Sequence, residues 1–251
     1  MKKSIKIIIT LITVSAVAVA GFFGFTYLKI KKADLPEGFT VTAHTGCEET
    51  ADNSLESIRK GYESGADVVE FDLAFTTEGE AVLSHDEPQK GCVTLDEAFA
   101  LIATLPDLKV NVDCKSVANL KKVAELSEKH HINDRIFYTG IREENVAAVK
   151  EQTPDITYWL NYDVDVEKNK DEQYLLALVN KTRELGAVGI NINFNACTRE
   201  LVEVFHREGL LVSIWTVNEP SDMIKVINLG VDNITSRNPS QLKVIVDMSE
   251  K

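Results

Sequence analysis

From residue 40 onward, short β-rich runs alternate regularly with amphipathic helical patterns, and this alternation is the feature that most constrains the fold. The predicted strands are Thr40 to His44, Asp67 to Leu73, Lys109 to Asp113, Arg135 to Thr139, Thr157 to Leu160, Val188 to Ile192, Leu210 to Thr216 and Asp232 to Thr235. The predicted helices are Ser54 to Ser64, Leu95 to Leu105, Val117 to His130, Glu143 to Glu151, Gln173 to Leu185, Arg199 to Glu208, Ser221 to Leu229 and Pro239 to Met248. Such β-α units predict a closed parallel (β/α)8 barrel, the TIM barrel. An open doubly wound sheet is the alternative, although the sequence has neither a G-x-G-x-x-G loop nor a Walker A motif.

The first residues differ in composition from the rest of the chain. Residues 7–28 carry no charge, and lysines flank them on both sides. That length matches the roughly 20 apolar residues that span a bilayer. Ala18-Val19-Ala20 has the form of a signal-peptide cleavage site, but the apolar run continues beyond it, so we favour a retained anchor. We therefore predict a membrane anchor or signal segment at residues 1–32 and one barrel domain at residues 33–251. The expected location is the cell membrane, single-pass, with the barrel outside the cytoplasm.

The whole chain is acidic, with a formal net charge of -12. Its first acidic residue is Asp34, whereas lysines crowd the N-terminal segment, so the barrel domain is more acidic still. Without a basic run or a basic-aromatic stripe, we do not expect nucleic acid as a partner. A phosphate ester can still bind where a metal ion and a few placed cations reverse the local field.

Two carboxylates share one face of the second predicted strand. Successive side chains of a strand alternate faces, so Glu70 and Asp72 point one way while Phe71 points the other. Like charges this close favour a hard divalent cation between them. His85 follows a short extra extended piece, residues 81–84, and can supply acid-base chemistry beside that cation. The alternative is a solvated acidic edge strand with an unrelated histidine.

Polar residues also follow other predicted strands at the end where a parallel barrel gathers its catalytic groups. His44 ends the first predicted strand, Asp113 and Lys115 lie at the end of the third, and Trp215 lies near the end of the seventh. Because these groups belong to different strands yet share one rim, the barrel assumption brings them together. This convergence favours the functional interpretation of the paired carboxylates.

The four cysteines, Cys47, Cys92, Cys114 and Cys197, have no C-x-x-C spacing, which argues against a zinc site or a thioredoxin-type motif. Outside the cytoplasm disulfides can form. Cys47 and Cys92 lie shortly after the two histidine motifs and so are candidates to meet near the site. The alternative is that all four are separate small apolar residues.

These residues resemble the motifs of the glycerophosphodiester phosphodiesterase family. That family's pattern runs His-Arg-Gly, Glu-Asn-Thr, Gly-Ala-Asp, Glu-x-Asp, His-Asp and Glu-x-Lys. The matching segments here are His44-Thr45-Gly46, Asp52-Asn53-Ser54, Gly65-Ala66-Asp67, Glu70-Phe71-Asp72, His85-Asp86, Asp113-Cys114-Lys115, Trp215-Thr216-Val217-Asn218 and Gly230-Val231-Asp232-Asn233-Ile234, the last two resembling later family segments. The similarity spans essentially all of residues 40–240.

The resemblance implies a phosphoric diester hydrolase that releases an alcohol and a phosphomonoester from glycerophosphodiesters or a related glycerol-phosphate-containing lipid or polymer. It implies that Glu70, Asp72 and Asp113 hold Ca²⁺ or Mg²⁺ through oxygen ligands. It also implies that His44 and His85 act as general base and general acid, because imidazole titrates near neutral pH.

Two more residues take roles from the resemblance. Lys115 is expected to stabilise charge on the phosphoryl group, and the alternative is that it only pairs with Asp113. Trp215 is expected either to contact the substrate or to pack in the barrel core. For each of these two residues, both alternatives remain open from the sequence.

The chain departs from the family pattern at three of these positions. Thr45 replaces the family's arginine, which removes a five-donor fork suited to phosphate oxygens. Asp52 and Asp113 each replace a glutamate. Arg142, after the fourth predicted strand, and Arg237, after the eighth, are predicted at the same rim and are candidates to replace the missing cation.

The connection after His85 is also short, because the family usually inserts a small subdomain there. The expected result is a more open pocket that admits a bulky substrate. Two other functions compete with the hydrolase. One is a catalytically weak relative that serves as a membrane-tethered phospho-ligand-binding or interaction domain. The other is a related barrel phosphodiesterase that cleaves phospholipids to a cyclic phosphate.

Overall fold

A computed structural model describes residues 35–249. Its strands are β1 Thr40–Ala43, β2 Val68–Phe75, β3 Ala81–Leu83, β4 Lys109–Cys114, β5 Ile136–Ile141, β6 Tyr158–Asn161, β7 Gly189–Asn193, β8 Leu211–Trp215 and β9 Asn233–Ser236. Its α-helices are α1 Leu55–Glu63, α2 Leu95–Ile102, α3 Lys121–Lys129, α4 Val146–Gln152, α5 Glu172–Leu185, α6 Arg199–Arg207, α7 Pro220–Ile227 and α8 Pro239–Ser249. The predicted anchor at residues 7–28 lies outside the described residues. Within residues 35–249, no helix has the length and apolar character needed to cross a bilayer.

The strands close into a parallel barrel. The order is β1-β9-β8-β7-β6-β5-β4-β2, and β1 pairs with β2 to complete the circle. On β1, Thr42 is the register partner of Thr235 on one side and of Val68 on the other. The short β3 lies antiparallel beside β2, where the sequence predicts an extra extended piece. The closed pairing confirms the predicted (β/α)8 barrel and rules out the open sheet.

Helices α1, α2 and α6 begin within one residue of their predicted starts, and a side chain caps the first turn of each. Ser54, Thr94 and Thr198 accept hydrogen bonds from the backbone at the starts of α1, α2 and α6. Thr94 also forms a capping box with Glu97, which fixes the start of α2. By contrast α3 and α4 have no side-chain cap and begin later than predicted. A 3-10 turn, Glu143–Asn145, precedes α4.

The outer face of the barrel packs against the helices. The Phe71 ring on β2 lies 6.3 Å from the Phe99 ring on α2, measured between centroids. Gly61 brings α1 so close that a Cβ there would lie 2.8 Å from Val69 and 2.9 Å from Ala43. These apolar side chains are almost fully buried, and burial of a large one contributes about 1.5–3 kcal/mol. The main apolar core therefore lies between strands and helices.

The inner face of the same strands is polar. Because side chains alternate, residues on either side of Phe71 point into the lumen, and they are Glu70 and Asp72. Other strands continue the pattern with buried amide or hydroxyl side chains, namely Thr42, Asn111, Thr139, Asn191, Ser213, Asn233 and Thr235. The lumen thus forms a polar shaft beneath the C-terminal rim of the barrel.

Candidate active site

A cavity of about 290 Å³ opens at the C-terminal rim of the barrel. Eight residues that were predicted to act in the site line this cavity, namely His44, Glu70, Asp72, His85, Asp113, Lys115, Trp215 and Arg237. The remaining lining residues are Asn111, Thr139, Asn161, Asn191, Thr216 and Thr235. The fold therefore brings together side chains from widely separated parts of the sequence.

Three carboxylates form the negative centre of this cavity. One oxygen from each of Glu70, Asp72 and Asp113 lies within 4.8 Å of the other two. Glu70 and Asp72 are buried, while Asp113 is partly exposed. Burial and the charges of Asp72 and Asp113 raise the pKa of Glu70 well above its ordinary value. Burial and like charge together make three negative charges at one site costly without a compensating cation.

The Lys115 ammonium supplies part of that compensation. Its Nζ lies 2.9 Å from Asp72 Oδ1 and also contacts Asp113 Oδ2. Burial opposes the charge on Lys115, but the two carboxylates outweigh burial and raise its pKa. One ammonium against three carboxylates leaves the cluster negative. Its all-oxygen donor set fits a hard divalent cation such as Ca²⁺ or Mg²⁺.

Backbone and amide donors hold two of these carboxylates in place. The Thr45 N–H donates to Glu70 Oε2 at 2.8 Å, and Asn53 Nδ2 donates to Asp72 Oδ2 at 2.8 Å. Thr45 Oγ1 accepts from the Asn53 N–H, so the two residues brace each other. Thr45 is buried and does not line the cavity, so it acts on the site through Glu70 and Asn53. The prediction missed Asn53, although it stands within the quoted Asp52-Asn53-Ser54 motif.

His44 enters the cavity immediately after β1 with a fixed orientation. Its Nδ1 lies 2.7 Å from the Thr45 carbonyl oxygen, which can only accept, so Nδ1 carries the hydrogen and Nε2 carries the lone pair. Burial lowers the pKa of His44, and the Arg237 charge adds to this, while the Thr45 hydrogen bond opposes it. A neutral imidazole with a free Nε2 is suited to accept a proton.

His85 reaches the cavity from a different setting. It lies in the connection after β3, and its side chain is 68% exposed. Its Nδ1 is 2.9 Å from Asp86 Oδ1, which orients the ring and leaves Nε2 for other partners. No helix or strand occupies the residues between His85 and Thr94, consistent with the predicted lack of an inserted subdomain.

The two candidate arginines differ in position. Arg237 lines the cavity and its Nη1 lies 2.7 Å from Asp52 Oδ1. The pair packs over Gly46, where an added Cβ would lie 2.0 Å from Asp52 Oδ1 and 2.4 Å from Arg237 Nη1. Arg142 pairs with Asp163 at 2.7 Å and is not among the residues that line the cavity. Of the two, the structure brings only Arg237 next to the His44 turn.

Trp215 lines the cavity and does not belong to the buried apolar cluster. Sequence reasoning missed a further set of lining residues in the lumen, namely Asn111, Thr139, Asn161, Asn191 and Thr235. A signal for them was available, because they are the polar members of strands whose alternate residues are apolar. Reading that alternation along each whole strand would have found them.

The four cysteines are all free, and Cys47, Cys114 and Cys197 are buried. Cys47 donates towards the Ser57 carbonyl oxygen beneath α1. Burial raises the pKa of the Cys47 and Cys114 thiols and raises that of Cys197 to about 12. In this structure the candidate pair Cys47 and Cys92 forms no disulfide, and the four cysteines are separate, as in the alternative.

Comparison with known proteins assigns this arrangement to a family. The profile of the glycerophosphoryl diester phosphodiesterase family matches residues 40–111 and 105–241. A glycerophosphodiester phosphodiesterase of Caldanaerobacter subterraneus subsp. tengcongensis is 25% identical over 241 residues, which cover 80% of this chain and 95% of the relative. One from Bacillus altitudinis is 23% identical over 240 residues, with coverage of 80% and 95%.

Solved structures agree with the fold. A glycerophosphodiester phosphodiesterase from Parabacteroides distasonis has a TM-score of 0.69 and 18% identity, covering 85% of this chain and 99% of that one. An Oleispira antarctica phosphodiesterase, solved with the product sn-glycerol-3-phosphate, has a TM-score of 0.69 and 20% identity, covering 85% and 97%. The chain thus belongs to the glycerophosphoryl diester phosphodiesterase family and is a phosphoric diester hydrolase.

Proposed function

We propose that this protein hydrolyses glycerophosphodiesters, or a related glycerol-phosphate-containing lipid or polymer, to an alcohol and a phosphomonoester. The reaction depends on a divalent cation, Ca²⁺ or Mg²⁺, at Glu70, Asp72 and Asp113, and on the histidine pair His44 and His85. Family membership supports the substrate class. The product bound to the Oleispira antarctica phosphodiesterase, sn-glycerol-3-phosphate, supports the glycerol head.

One observation carries the proposal: three carboxylates converge within 4.8 Å beside His44, whose Nδ1 is held by the Thr45 carbonyl oxygen and whose Nε2 has no hydrogen-bond partner within residues 35–249. Glu70 is almost fully buried, and a buried cluster of this charge is costly unless a cation occupies it. When bound there, the cation neutralises phosphoryl oxygens and lowers the pKa of an attacking hydroxyl or water.

The histidines divide the proton transfers between them. His44 Nε2 takes the proton from the attacking water while the new phosphorus–oxygen bond forms. His85 gives a proton to the oxygen of the departing alcohol as the old phosphorus–oxygen bond breaks. Water's hydroxyl thus ends on phosphorus, and the alcohol leaves neutral. The greater exposure of His85, whose side chain is 68% exposed against 23% for His44, suits a group that serves a departing alcohol at the cavity opening.

Lys115 and Arg237 supply positive charge for the phosphoryl group. Lys115 contacts Asp72 and Asp113, so its ammonium lies beside the proposed cation site. Arg237 places a guanidinium next to the turn that carries His44, where Thr45 offers no cation. A guanidinium suits two phosphate oxygens at once. We therefore assign Arg237 the anion-binding task and propose no such task for Arg142.

The direct test follows product formation by full-length protein purified in detergent. Glycerophosphocholine is incubated with Ca²⁺ or Mg²⁺, and phosphorus NMR follows the products. We expect an open phosphomonoester whose formation stops on addition of EDTA and resumes with excess metal. Phosphatidylinositol and a lysophospholipid serve as parallel substrates to define the range of leaving groups.

The same assay separates the competing functions. A cyclic phosphate as the final product from phosphatidylinositol favours the phospholipid-cleaving relative. Lack of turnover with every substrate and metal, together with measurable binding of glycerol phosphate, favours the tethered binding domain. Turnover that persists undiminished in EDTA contradicts the proposed role of the cation.

We also propose that residues 7–28 tether the protein to the cell membrane, with the barrel outside the cytoplasm. The uncharged run between lysines supports this, and its length fits one crossing. Carbonate extraction of membranes is expected to leave the protein in the pellet. Protease added to intact spheroplasts is expected to digest the barrel. Release by carbonate, or digestion only after lysis, contradicts the tether or its orientation respectively.

A further inference from the structure

Polar side chains of five neighbouring strands form a continuous hydrogen-bonded chain around the lumen. Thr42 Oγ1 donates to Asn233 Oδ1 at 2.7 Å, and Asn233 Nδ2 donates to Ser213 Oγ at 2.9 Å. Ser213 Oγ donates to Asn191 Oδ1 at 2.8 Å, and Asn191 Nδ2 donates to Asn161 Oδ1 at 3.1 Å. Every hydrogen bond of this chain is donated in the same direction, from β1 through β9, β8 and β7 to β6.

The last member, Asn161, is oriented independently by the backbone. The Gly140 N–H donates to Asn161 Oδ1 at 3.0 Å, and a backbone N–H can only donate, which identifies this atom as oxygen. Gly140 has φ of +73° at the irregularity of β5, and an added Cβ would lie 2.7 Å from Asp113 Oδ1. Glycine is therefore needed to turn this N–H towards Asn161.

This orientation leaves the Asn161 amino group for the cavity. Asn161 lines the cavity, and its Nδ2 has no hydrogen-bond partner within residues 35–249. The buried unpaired polar atoms of the same residues are Tyr138 Oη and Trp215 Nε1. Asn161 Nδ2 is not one of them, so it is accessible to solvent, in a residue that lines the cavity. Bonds aligned head to tail polarise one another, which strengthens this terminal donor.

The position of Asn161 relates it to the reaction. In the eight-stranded circle, β6 and β7 lie opposite β1 and β2, so Asn161 and Asn191 face His44 and Glu70 across the lumen. The carboxylates and Lys115 belong to the phosphoryl side. The opposite wall offers neutral amides, which match uncharged hydroxyl groups better than a cationic head or a lipid chain.

We propose that Asn161 recognises the glycerol moiety, donating from Nδ2 to a glycerol hydroxyl oxygen deep in the lumen, and that Ser213 acts as a positioning residue through Asn191. The inference rests on the proposed function and adds the direction of binding. Glycerol lies inwards, and the departing alcohol lies outwards beside the exposed His85. Specificity for the glycerol half then comes from the barrel wall, while the alcohol half is little restricted.

The test compares two phosphomonoesters that differ only in hydroxyl groups. Binding of sn-glycerol-3-phosphate and of propyl phosphate to full-length protein with Ca²⁺ is measured by calorimetry. We expect glycerol phosphate to bind about tenfold more tightly, as one or two well-paired hydroxyls allow. Asn161→Ala should reduce the ratio to about twofold or less, mainly by weakening glycerol phosphate. Ser213→Ala should reduce it partially and leave propyl phosphate unchanged.

Controls separate recognition from folding. Asn195→Ala, at an exposed asparagine after β7 that does not line the cavity, should keep the wild-type ratio. If Asn161→Ala does not fold, Asn161→Ser is tested in its place, because the serine hydroxyl retains an acceptor for the Gly140 N–H. Equal loss of both ligands, an unchanged ratio, or no binding of either ester overturns the proposal. Selective binding without hydrolysis in the NMR assay refutes the proposed function and leaves this recognition intact.

Discussion

On β2, Glu70 and Asp72 face the lumen, whereas Phe71 and Leu73 face the helices, and the two faces of the barrel differ throughout in this way. The outer residues are apolar and pack on helices, as Phe71 does on Phe99. The inner residues include carboxylates, amides and hydroxyls that line a cavity or bond to one another. Residues that are adjacent in the sequence of β2 therefore have different roles: Phe71 packs in the apolar core, and Glu70 and Asp72 line the cavity.

This difference indicates that the outer face contributes most of the stability and that the inner face carries the groups needed for activity. Apolar burial between strands and helices stabilises the fold, while the inner face holds charges that destabilise it unless they are compensated. A register slip of one residue would exchange the faces, so the pattern also fixes the strand register. Substitutions at adjacent positions should separate the two properties, and the following predictions test that separation.

The largest effect is expected from His44→Ala. Removal of the proton acceptor should reduce turnover by about 10²–10⁴-fold. Thermal unfolding should change little, because among residues 35–249 the imidazole makes one hydrogen bond, to the Thr45 carbonyl oxygen. Initial rates and a melting curve check both points. His130→Ala, at a histidine that pairs with Asp96 away from the cavity, is the matched control and should keep full turnover.

Phe71→Ala should have the opposite profile. Loss of this buried ring is expected to lower the free energy of unfolding by about 3–5 kcal/mol. Turnover per folded molecule should stay within about twofold of wild type, since Phe71 points away from the cavity. Urea unfolding and rates corrected for the folded fraction provide the measurements. A large loss of turnover in fully folded protein would break the division between faces.

Glu70→Gln, at the residue that precedes Phe71, should reduce metal-dependent turnover by more than about 100-fold. Changes to residues that only hydrogen-bond to metal ligands already cost about 10–100-fold in activity or metal affinity. Without metal, the variant should melt at a higher temperature than wild type, because it removes a carboxyl group whose ionisation is opposed by burial and by the charges of Asp72 and Asp113. The glutamine keeps an oxygen for the Thr45 N–H. A lower melting temperature without metal would contradict the account of the inner face.

Arg237→Gln should lower kcat/KM by about 10–100-fold, the loss expected for a hydrogen bond to a charged group. Arg142→Gln is its matched control, because both arginines form exposed pairs with an aspartate at 2.7 Å and only Arg237 lines the cavity. The control should remain within about twofold of wild type. Steady-state kinetics on both variants measures the difference. Equal losses would remove the special role of Arg237.

The smallest effect concerns pH. The proposed base must be neutral to act, and burial lowers the pKa of His44 below 6.5. On the acid side, kcat/KM should therefore fall only as pH drops below about 6.5, through the lowered pKa. A pH profile of kcat/KM at saturating metal measures this acid limb. If the residual activity of His44→Ala lacks the limb, the limb is assigned to the titration of His44. An acid limb centred above pH 7 would contradict the assignment.

Most of the fold was accessible from sequence, because strand and helix periodicity is a local property. The second predicted strand, Asp67 to Leu73, is β2 Val68–Phe75, and the eighth is β9 Asn233–Ser236. The start of α3 at Lys121 was less accessible, because no side chain caps its first turn. The irregularity of β5 at Gly140 depends on contacts with Cys114 and Asp113, which sequence spacing does not contain.

The candidate site was partly accessible for the same reason. Glu70 and Asp72 follow from alternation within one strand, and Asp113 from its place at a strand end. Arg142 and Arg237 look equivalent in sequence, since each follows a strand. Their side chains diverge because each meets a different aspartate, Asp163 or Asp52, and that choice is made by tertiary structure.

The central claim is that the inner carboxylates bind a cation on which hydrolysis depends. Calcium titration of full-length protein, with binding by calorimetry and glycerophosphocholine hydrolysis in the same samples, tests it most directly. We predict that turnover rises in proportion to occupancy of a single cation site and that Glu70→Gln weakens both together, while Phe71→Ala changes neither in folded protein. Binding that survives Glu70→Gln unchanged, or turnover independent of occupancy, would contradict the claim.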